Sequence, residues 1–211
     1  MNHYEQLWLF FALVFGIIVL PGLDMAFVLG STLAGGRTRG LAAVAGIIAG
    51  GVCHVVMTAL GISVLIKLIP GAFGALLLAG ALYIAWIGIS LVRSESAFGL
   101  QPDTRSRSRA TTFRQGMLTC LLNPKAYLFM LAVFPQFLRP EHGPLWMQAA
   151  VMWLIIAFNQ LCVYGGVALL GDRVRQWLRG SPVAGMLATR CVGATLIAAA
   201  ALTGFEGWRG M

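Results

Sequence analysis

Residues 7–34 read LWLFFALVFGIIVLPGLDMAFVLGSTLA, and the interruption inside this apolar stretch decides how the whole chain is interpreted. A helix rises about 1.5 Å per residue, so the stretch is long enough to cross the roughly 30 Å hydrocarbon core of a membrane. Its first half carries no charge, but Pro21 and Gly22 then break the helical pattern and Asp24 follows. The sequence therefore predicts a membrane-spanning helix that is broken inside the bilayer, with a carboxylate beside the break.

The composition of the whole chain also indicates a membrane protein. Of its 211 residues, 59% are hydrophobic and only 10% are charged, whereas a soluble domain has about 25% charged residues. So few charged side chains cannot cover a surface that faces water. The formal net charge of +8 does not indicate a nucleic-acid partner, because the arginines lie in short clusters between apolar runs, as they do in cytoplasmic loops.

Six apolar runs are long enough to span a membrane, and each ends at a turn signal or a charge cluster. We therefore predict an all-α integral membrane protein with six transmembrane helices: Leu7–Ala34, Leu41–Ile66, Gly71–Val92, Gly116–Leu138, Leu145–Gly171 and Val183–Phe205. The loops after the first, third and fifth helices carry ten arginines, against three Lys or Arg residues on the opposite side. The positive-inside rule then places those three loops in the cytoplasm and both termini outside.

A polar, arginine-rich segment divides the six predicted helices into two groups of three. We interpret residues 1–211 as one transmembrane domain, with a first repeat over about 1–93, a cytoplasmic linker over about 94–112 and a second repeat over about 113–211. Because each group has an odd number of helices, the second group enters the membrane in the opposite orientation. The helix that opens each repeat is interrupted, at Pro21-Gly22 and at Asn123-Pro124-Lys125. Paired interruptions in inverted repeats indicate a binding site near the bilayer midplane.

The candidate site residues lie at these two breaks and on the helices between them. Asp24 and Lys125 each cost about 3 kcal/mol inside a bilayer. They predict either a site for protons or substrate, or an ion pair that joins the two broken helices. His54 could carry protons or bond a carbonyl group that a helix break has freed. Tyr83 could face a cavity or hold neighbouring helices together by a hydrogen bond.

The fifth predicted helix offers one further polar candidate. Asn159 and Gln160 are adjacent and therefore about 100° apart around the helix, so only one of them is expected to face a cavity. Asn159 is the better candidate because it shares a helix face with Cys162 and Gly166. The alternative for this residue is a structural hydrogen bond between helices.

Five segments of the chain carry a resemblance to a known family. They are PGLDMAFVLGSTLAGGRTRGL (21–41), GIIAGGVCH (46–54), AGALYIAWIGISLVR (79–93), FRQGMLTCLLNPKAYLFM (113–130) and FPQF (134–137). With these motifs the chain resembles the lysine exporter and homoserine/threonine-resistance (LysE) family of bacterial amino-acid exporters. The resemblance implies an inner-membrane protein that exports amino acids or close derivatives, driven by the proton gradient. It does not specify the cargo, because the chain departs from the usual family pattern at Leu23 and Gly51.

A cargo of this class is a zwitterion, which suits a site with one carboxylate and one ammonium. We expect the ammonium of the cargo near Asp24 and its carboxylate near Lys125 or the N-terminus of a half-helix. Protons and membrane lipid are the other expected partners, and the G-x-x-x-G pattern at Gly46 and Gly50 fits either a homodimer contact or close packing within one subunit. No cofactor or metal site is expected, because the four cysteines have unrelated spacings and no nucleotide-binding or hydrolase motif occurs.

Two other function classes are compatible with the sequence. One is a thiol-based membrane redox protein, since Cys120 lies close to the second break at Asn123. The other is a passive channel for small solutes. Uphill movement of substrate under a proton gradient, by a variant without cysteines, distinguishes an exporter from both.

Overall fold

The protein is described from a computed structural model, which covers residues 3–61, 72–93, 108–178 and 182–209. These residues form eight α-helices: α1 (His3–Val19), α2 (Leu23–Gly35), α3 (Arg37–Ala59), α4 (Ala72–Val92), α5 (Arg109–Leu121), α6 (Pro124–Ala132), α7 (Leu145–Leu178) and α8 (Pro182–Arg209). Two short 3-10 turns, Phe134–Phe137 and Pro140–His142, connect α6 to α7. The described part of the chain contains no strand, so the all-α prediction is confirmed for it.

Two of these helices, α3 and α7, are each long and apolar enough to cross a membrane. The pairs α1–α2 and α5–α6 reach that length only when each pair is counted as one broken span, with bends of 55° and 51°. The described residues thus contain two candidate spans, or four with the bent pairs, and shorter apolar segments at Leu78–Ile89 in α4 and Arg190–Leu202 in α8. The arrangement of six helices in inverted repeats stays a prediction.

Several predicted boundaries differ from the observed helices, including the end of the linker and the end of the fifth span. The linker is predicted to extend to residue 112, but α5 begins at Arg109, because the Ser108 side chain accepts a hydrogen bond from the Thr111 N–H at 3.1 Å and caps the helix. The fifth span is predicted to end at Gly171, but α7 continues to Leu178. The predicted segments 62–66 and 94–107 lie outside the described residues.

The added length of α7 stabilises the tight turn between α2 and α3. Gly36 at this turn has a φ of 76°, which lies in the left-handed region that favours glycine. The Arg37 N–H donates to Asp172 Oδ1 at 3.1 Å, and the Arg175 Nε–H donates to the Leu33 carbonyl at 3.0 Å. An acidic group thus lies at the start of α3 and a basic group at the end of α2, which is the arrangement that helix dipoles favour.

Close backbone contact between α3 and α5 forms the centre of the molecule. Helix α3 also packs against α2 and α7, whereas α4 packs mainly against α8. A Cβ added at Gly50 would lie 2.8 Å from Cys120 Cβ, and one at Gly116 would lie 2.6 Å from the Ala43 carbonyl oxygen. A Cβ at Gly46 would also collide with the backbone of α5. The G-x-x-x-G pattern therefore serves close packing within one chain.

The exterior of the helix assembly is apolar. Trp8, Trp146 and Trp208 are each 71% exposed, and Leu82 is 72% exposed. In water, so many large apolar side chains on the outside would form an aggregation-prone surface. The same surface is well solvated by lipid, as expected for a membrane protein.

Candidate functional site

The first helix break frees a carbonyl group that a distant lysine then binds. Pro21 has no N–H, so it cannot make the bond to the Ile17 carbonyl that would continue α1. The Lys125 Nζ ammonium donates to the Ile17 and Leu20 carbonyl oxygens, each at 3.0 Å. A cation at the C-terminal end of α1 is also favoured by the helix dipole. Lys125 therefore compensates for the hydrogen bond that Pro21 removes.

The second break is compensated in the same way by a histidine. Pro124 cannot bond the Cys120 carbonyl that lies four residues before it. The Nε2 atom of His54 lies 3.0 Å from this oxygen, and because a carbonyl only accepts, His54 Nε2 carries the hydrogen and donates it. Of the two alternatives for His54, the structure shows the bond to a freed carbonyl.

The two helices that follow the breaks each begin beside a side chain with a hydrogen-bond acceptor. Gly22 precedes α2, and Asp24 occupies its first turn with a side chain that is only 3% exposed. Asn123 caps α6, where its Oδ1 atom accepts the Lys125 N–H at 3.0 Å. Each helix start thus has an acceptor group beside it, as the positive end of a helix dipole favours. A Cβ at Gly22 would lie 3.1 Å from Lys125 Nζ, so glycine permits the close approach of the two breaks.

Both breaks open into one cavity. Its polar lining consists of Asp24, His54, Asn123, Lys125, Gln160 and Tyr164. Apolar residues such as Ile18, Phe129 and Ile156 complete the walls. The cavity volume is about 50 Å³, which leaves room for a few water molecules at roughly 10–15 Å³ each. A whole amino acid requires the cavity to widen.

A cluster of aromatic side chains packs beside the cavity at Phe129. The Phe10 ring packs against the rings of Phe129, Phe134 and Phe137, with centroid distances of 5.9, 6.2 and 5.0 Å. The Gln6 side chain donates to the Phe137 carbonyl at 2.8 Å and fastens the 3-10 turn to α1. A path out of the cavity on this side needs these contacts to separate.

Comparison with known proteins identifies the family. The family profile described as LysE type translocator matches residues 15–206. The chain belongs to the LysE type translocator family. It is therefore a membrane transporter and not an enzyme. The resemblance drawn from the sequence motifs is confirmed by this match.

Several relatives of this translocator carry functional names. The homoserine/homoserine lactone efflux protein of Salmonella typhimurium strain LT2 is 29% identical over 76% of this chain and 77% of its own length. The protein of the same name from Salmonella typhi is 33% identical over 67% of this chain and 69% of its own length. The leucine efflux protein of Klebsiella pneumoniae is 25% identical over 88% of each chain. No solved structure matches the translocator.

The structure places the predicted site residues of the translocator in three groups. Asp24, His54, Asn123 and Lys125 line the cavity. Pro21, Gly22 and Pro124 form the two breaks but do not themselves line the cavity. Tyr83 and Asn159 lie elsewhere: the Tyr83 hydroxyl approaches the Gln115 carbonyl of α5 at 3.5 Å, and the Asn159 Nδ2–H donates to the Ile155 carbonyl of its own helix at 2.9 Å.

Gln160 takes the place in the cavity that the sequence predicts for Asn159. The rotation of α7 about its axis turns Ile156, Gln160 and Tyr164 toward the cavity, and these residues recur every four positions along one helix face. This four-residue spacing was the sequence pattern that could have predicted which face of α7 lines the cavity. The face shared by Asn159, Cys162 and Gly166 was a weaker guide, because Cys162 is exposed on the outside.

Four polar atoms inside the cavity make no hydrogen bond of ordinary geometry within the described residues. They are Asp24 Oδ1, His54 Nδ1, Asn123 Nδ2 and Gln160 Oε1. Their side chains are 1–7% exposed, and buried polar groups of this kind almost always have a partner. Four such atoms around one cavity make it the candidate binding site.

The cysteines of the translocator do not form a redox pair in the described residues, which include all four of them. Cys53, Cys120, Cys162 and Cys191 are free thiols, and only Cys120 is fully buried. Cys120 acts through its backbone carbonyl, which accepts the His54 hydrogen bond. The thiol redox alternative gains no support from this arrangement.

Proposed function

We propose that the protein is a secondary transporter that exports amino acids or close derivatives across the bacterial inner membrane in exchange for protons. The efflux proteins that it resembles are named for homoserine, homoserine lactone and leucine. These three molecules share a primary amino group, while the lactone has no free carboxylate. The cargo class proposed for this chain is therefore a small primary amine of the amino-acid type.

The observation that carries the proposal is the position of Asp24 in the cavity between the two breaks. Among the described residues, the buried carboxylates are Asp24 and Asp172. Asp172 is already engaged, since its two oxygens accept hydrogen bonds from the Arg37 N–H and the Gln176 side chain. Asp24 Oδ1 makes no hydrogen bond of ordinary geometry, and the Asn123 amide and the Lys125 ammonium are its polar neighbours. A carboxylate in this state can bind a proton or a cationic cargo, but not both at once.

Competition between a proton and the cargo for Asp24 then couples proton movement to cargo movement. When the cavity opens to the outside, a proton binds Asp24 and releases the cargo ammonium. When it opens to the cytoplasm, the proton leaves and a new ammonium binds. Inward movement of protons thereby drives outward movement of cargo, provided that the cavity is never open to both sides.

The arrangement of the helices supports alternating access between two inverted repeats, residues 1–93 and 113–211, within one transmembrane domain. In this relation α1–α2 corresponds to α5–α6, α3 to α7 and α4 to α8. The contact of α3 with α5 then corresponds to the contact of α7 with α1 and α2, and both contacts occur. The bends of 55° and 51° in the two broken pairs are also similar. The lysine and arginine distribution supports an orientation with both termini outside the cytoplasm.

Transport by purified protein in proteoliposomes tests the proposal. Vesicles containing a mixture of amino acids are given a pH gradient, and the solutes that move uphill are measured. We expect uphill export by the original protein and by a variant without cysteines, and loss of it in Asp24→Asn, whose side chain keeps its shape but cannot release a proton. Asp24→Glu should retain part of the activity.

Glu141→Gln is the matched control, because it also converts a carboxylate to an amide but lies at an exposed ion pair with Arg139. It should transport normally. Uphill export by Asp24→Asn with an unchanged pH dependence would show that Asp24 is only structural. Downhill movement alone in the original protein would favour a passive channel.

A further inference from the structure

The unpartnered atoms of the cavity are mostly hydrogen-bond acceptors. Asp24 Oδ1 and Gln160 Oε1 are oxygens that accept, and both are buried. His54 donates through Nε2 to the Cys120 carbonyl, so in the neutral ring its unpartnered Nδ1 atom is an acceptor too. These three acceptors line one cavity and equal in number the N–H donors of a primary ammonium group.

Donors that could bind a carboxylate are scarcer at the same place. Asn123 Nδ2 is the one donor among the four atoms; it approaches the Asp24 carboxylate, and its orientation is fixed because Asn123 Oδ1 accepts the Lys125 N–H. The Lys125 ammonium uses two of its three N–H groups on the Ile17 and Leu20 carbonyl oxygens. The expectation from the sequence that Lys125 receives the cargo carboxylate stays a prediction, because one N–H of its ammonium is left for it.

We propose that Asp24 Oδ1, His54 Nδ1 and Gln160 Oε1 together form an ammonium-binding subsite, so that the translocator recognises its cargo by the amino group. The subsite rests on the proposed function, since it identifies the chemical group of the exported cargo. A free primary amine is required, whereas a free carboxylate is not. N-acylated cargo is excluded, because acylation removes both the charge and two of the three N–H donors.

The remaining walls accommodate an aliphatic side chain. Ile18, Met130 and Ile156 line the cavity with apolar surface. Gly51 also lines it, and a Cβ at Gly51 would make ordinary contacts, 3.7 Å from Trp153 Nε1 and 3.9 Å from Gln160 Oε1, so there is room for a methyl group beside the proposed subsite. A branched four- or five-carbon skeleton with an amino group is therefore a suitable probe.

Binding of matched probes to the purified full-length protein in detergent tests the subsite. The probes are L-leucine, 3-methylbutylamine, which is leucine without its carboxylate, 4-methylpentanoate, which is leucine without its amine, and N-acetyl-L-leucine. Each is titrated while the thermal unfolding of the protein is followed, and an apparent Kd is taken from the stabilisation. We expect leucine and the amine to bind, and the acid and the N-acetyl compound to bind at least about tenfold more weakly, because a hydrogen bond to a charged group is lost with the amine.

Substitutions of Gln160 assign the effect to the subsite. Gln160→Met keeps the length of the side chain but removes the acceptor, and should raise the apparent Kd of 3-methylbutylamine by about ten- to a hundredfold. Gln160→Glu keeps the acceptors and adds a negative charge, so it should bind the amine at least as tightly. Gln176→Met is the control, since it makes the same change on the same helix at an exposed position outside the cavity.

The outcomes separate this inference from the proposed function. Binding of the acid as tightly as the amine, equal effects of Gln160→Met and Gln176→Met, or no binding of either leucine or the amine would each overturn the subsite. Amine binding that depends on Gln160, without uphill transport in proteoliposomes, would support the subsite and refute the proton-coupled exporter. Uphill export that is insensitive to Gln160→Met and accepts N-acetyl-L-leucine would support the proton-coupled exporter and refute the subsite.

Discussion

The Lys125 ammonium joins the two broken helices, so replacing it measures how much this junction contributes to stability. In Lys125→Met, the methionine fills similar volume but donates no hydrogen bond. The carbonyl oxygens of Ile17 and Leu20 then lose the donor that lies 3.0 Å from each of them. Pro21 cannot replace it, because proline has no N–H. The Ile17 carbonyl is left partly buried without its lysine donor, and we expect the protein to be destabilised.

The size of the effect follows from these two contacts. A hydrogen bond from a charged donor contributes about 1.5–3 kcal/mol. The bond to Ile17 is partly buried and counts in full, whereas the bond to Leu20 is exposed and contributes less. Removing an ammonium from a partly desolvated position offsets some of the loss. The net decrease in the free energy of unfolding should be about 2–3 kcal/mol, which lowers the Tm of a chain of this length by roughly 5–10 °C.

A double-mutant cycle with Pro21→Ala identifies the cause. Alanine at position 21 restores an N–H that can donate to the Ile17 carbonyl, so it should recover about 1 kcal/mol in the Lys125→Met background. Thermal unfolding of the four proteins in identical micelles gives the coupling energy. Arg139→Met is the control, because it removes a cation whose ion pair with Glu141 is exposed, and should change stability by less than about 0.5 kcal/mol. If the Pro21 and Lys125 effects add within about 0.3–0.5 kcal/mol, Lys125 does not compensate for the proline.

Three further substitutions probe the fold by the same thermal unfolding measurement. His54→Leu leaves the Cys120 carbonyl at the second break without its side-chain donor and should cost about 1–3 kcal/mol; an unchanged Tm would show that this bond is not important. Gly46→Ala forces a Cβ against the backbone of α5 and should cost more than about 2 kcal/mol, whereas Gly166→Ala, with nothing within 4 Å of the added atom, should be neutral or slightly stabilising. Asp172→Asn weakens the charged cap of α3 and should cost about 1 kcal/mol, an effect that high salt should reduce.

Much of the candidate site could be anticipated from local chemistry. Pro21 and Pro124 interrupt their helices wherever the chain folds, because the missing N–H is a covalent property of proline. Asp24 and His54 were recognisable as polar residues within apolar runs, where they are costly and therefore need a partner or a function. The role of His54 stayed open, because its bond to a carbonyl 66 residues away depends on how α3 and α5 pack.

The choice between Asn159 and Gln160 illustrates what the sequence could not decide. Adjacent residues on a helix differ by about 100° in direction, and the apolar pattern of α7 does not indicate which face meets the cavity. Contacts with α1, α2 and α3 set the rotation of α7. The structure turns Gln160 inward, while Asn159 bonds the Ile155 carbonyl of its own helix.

The sequence by itself determined the class of protein, the family and the location of the two helix breaks, because hydropathy, motif and proline geometry belong to the chain before it folds. Only the tertiary structure decided which side chain serves which break. Lys125 reaches a carbonyl 108 residues away, and this pairing exists only because the two broken helices meet at one cavity. Long-range contacts of this kind depend on the rotation and separation of packed helices, which no local property of the sequence specifies.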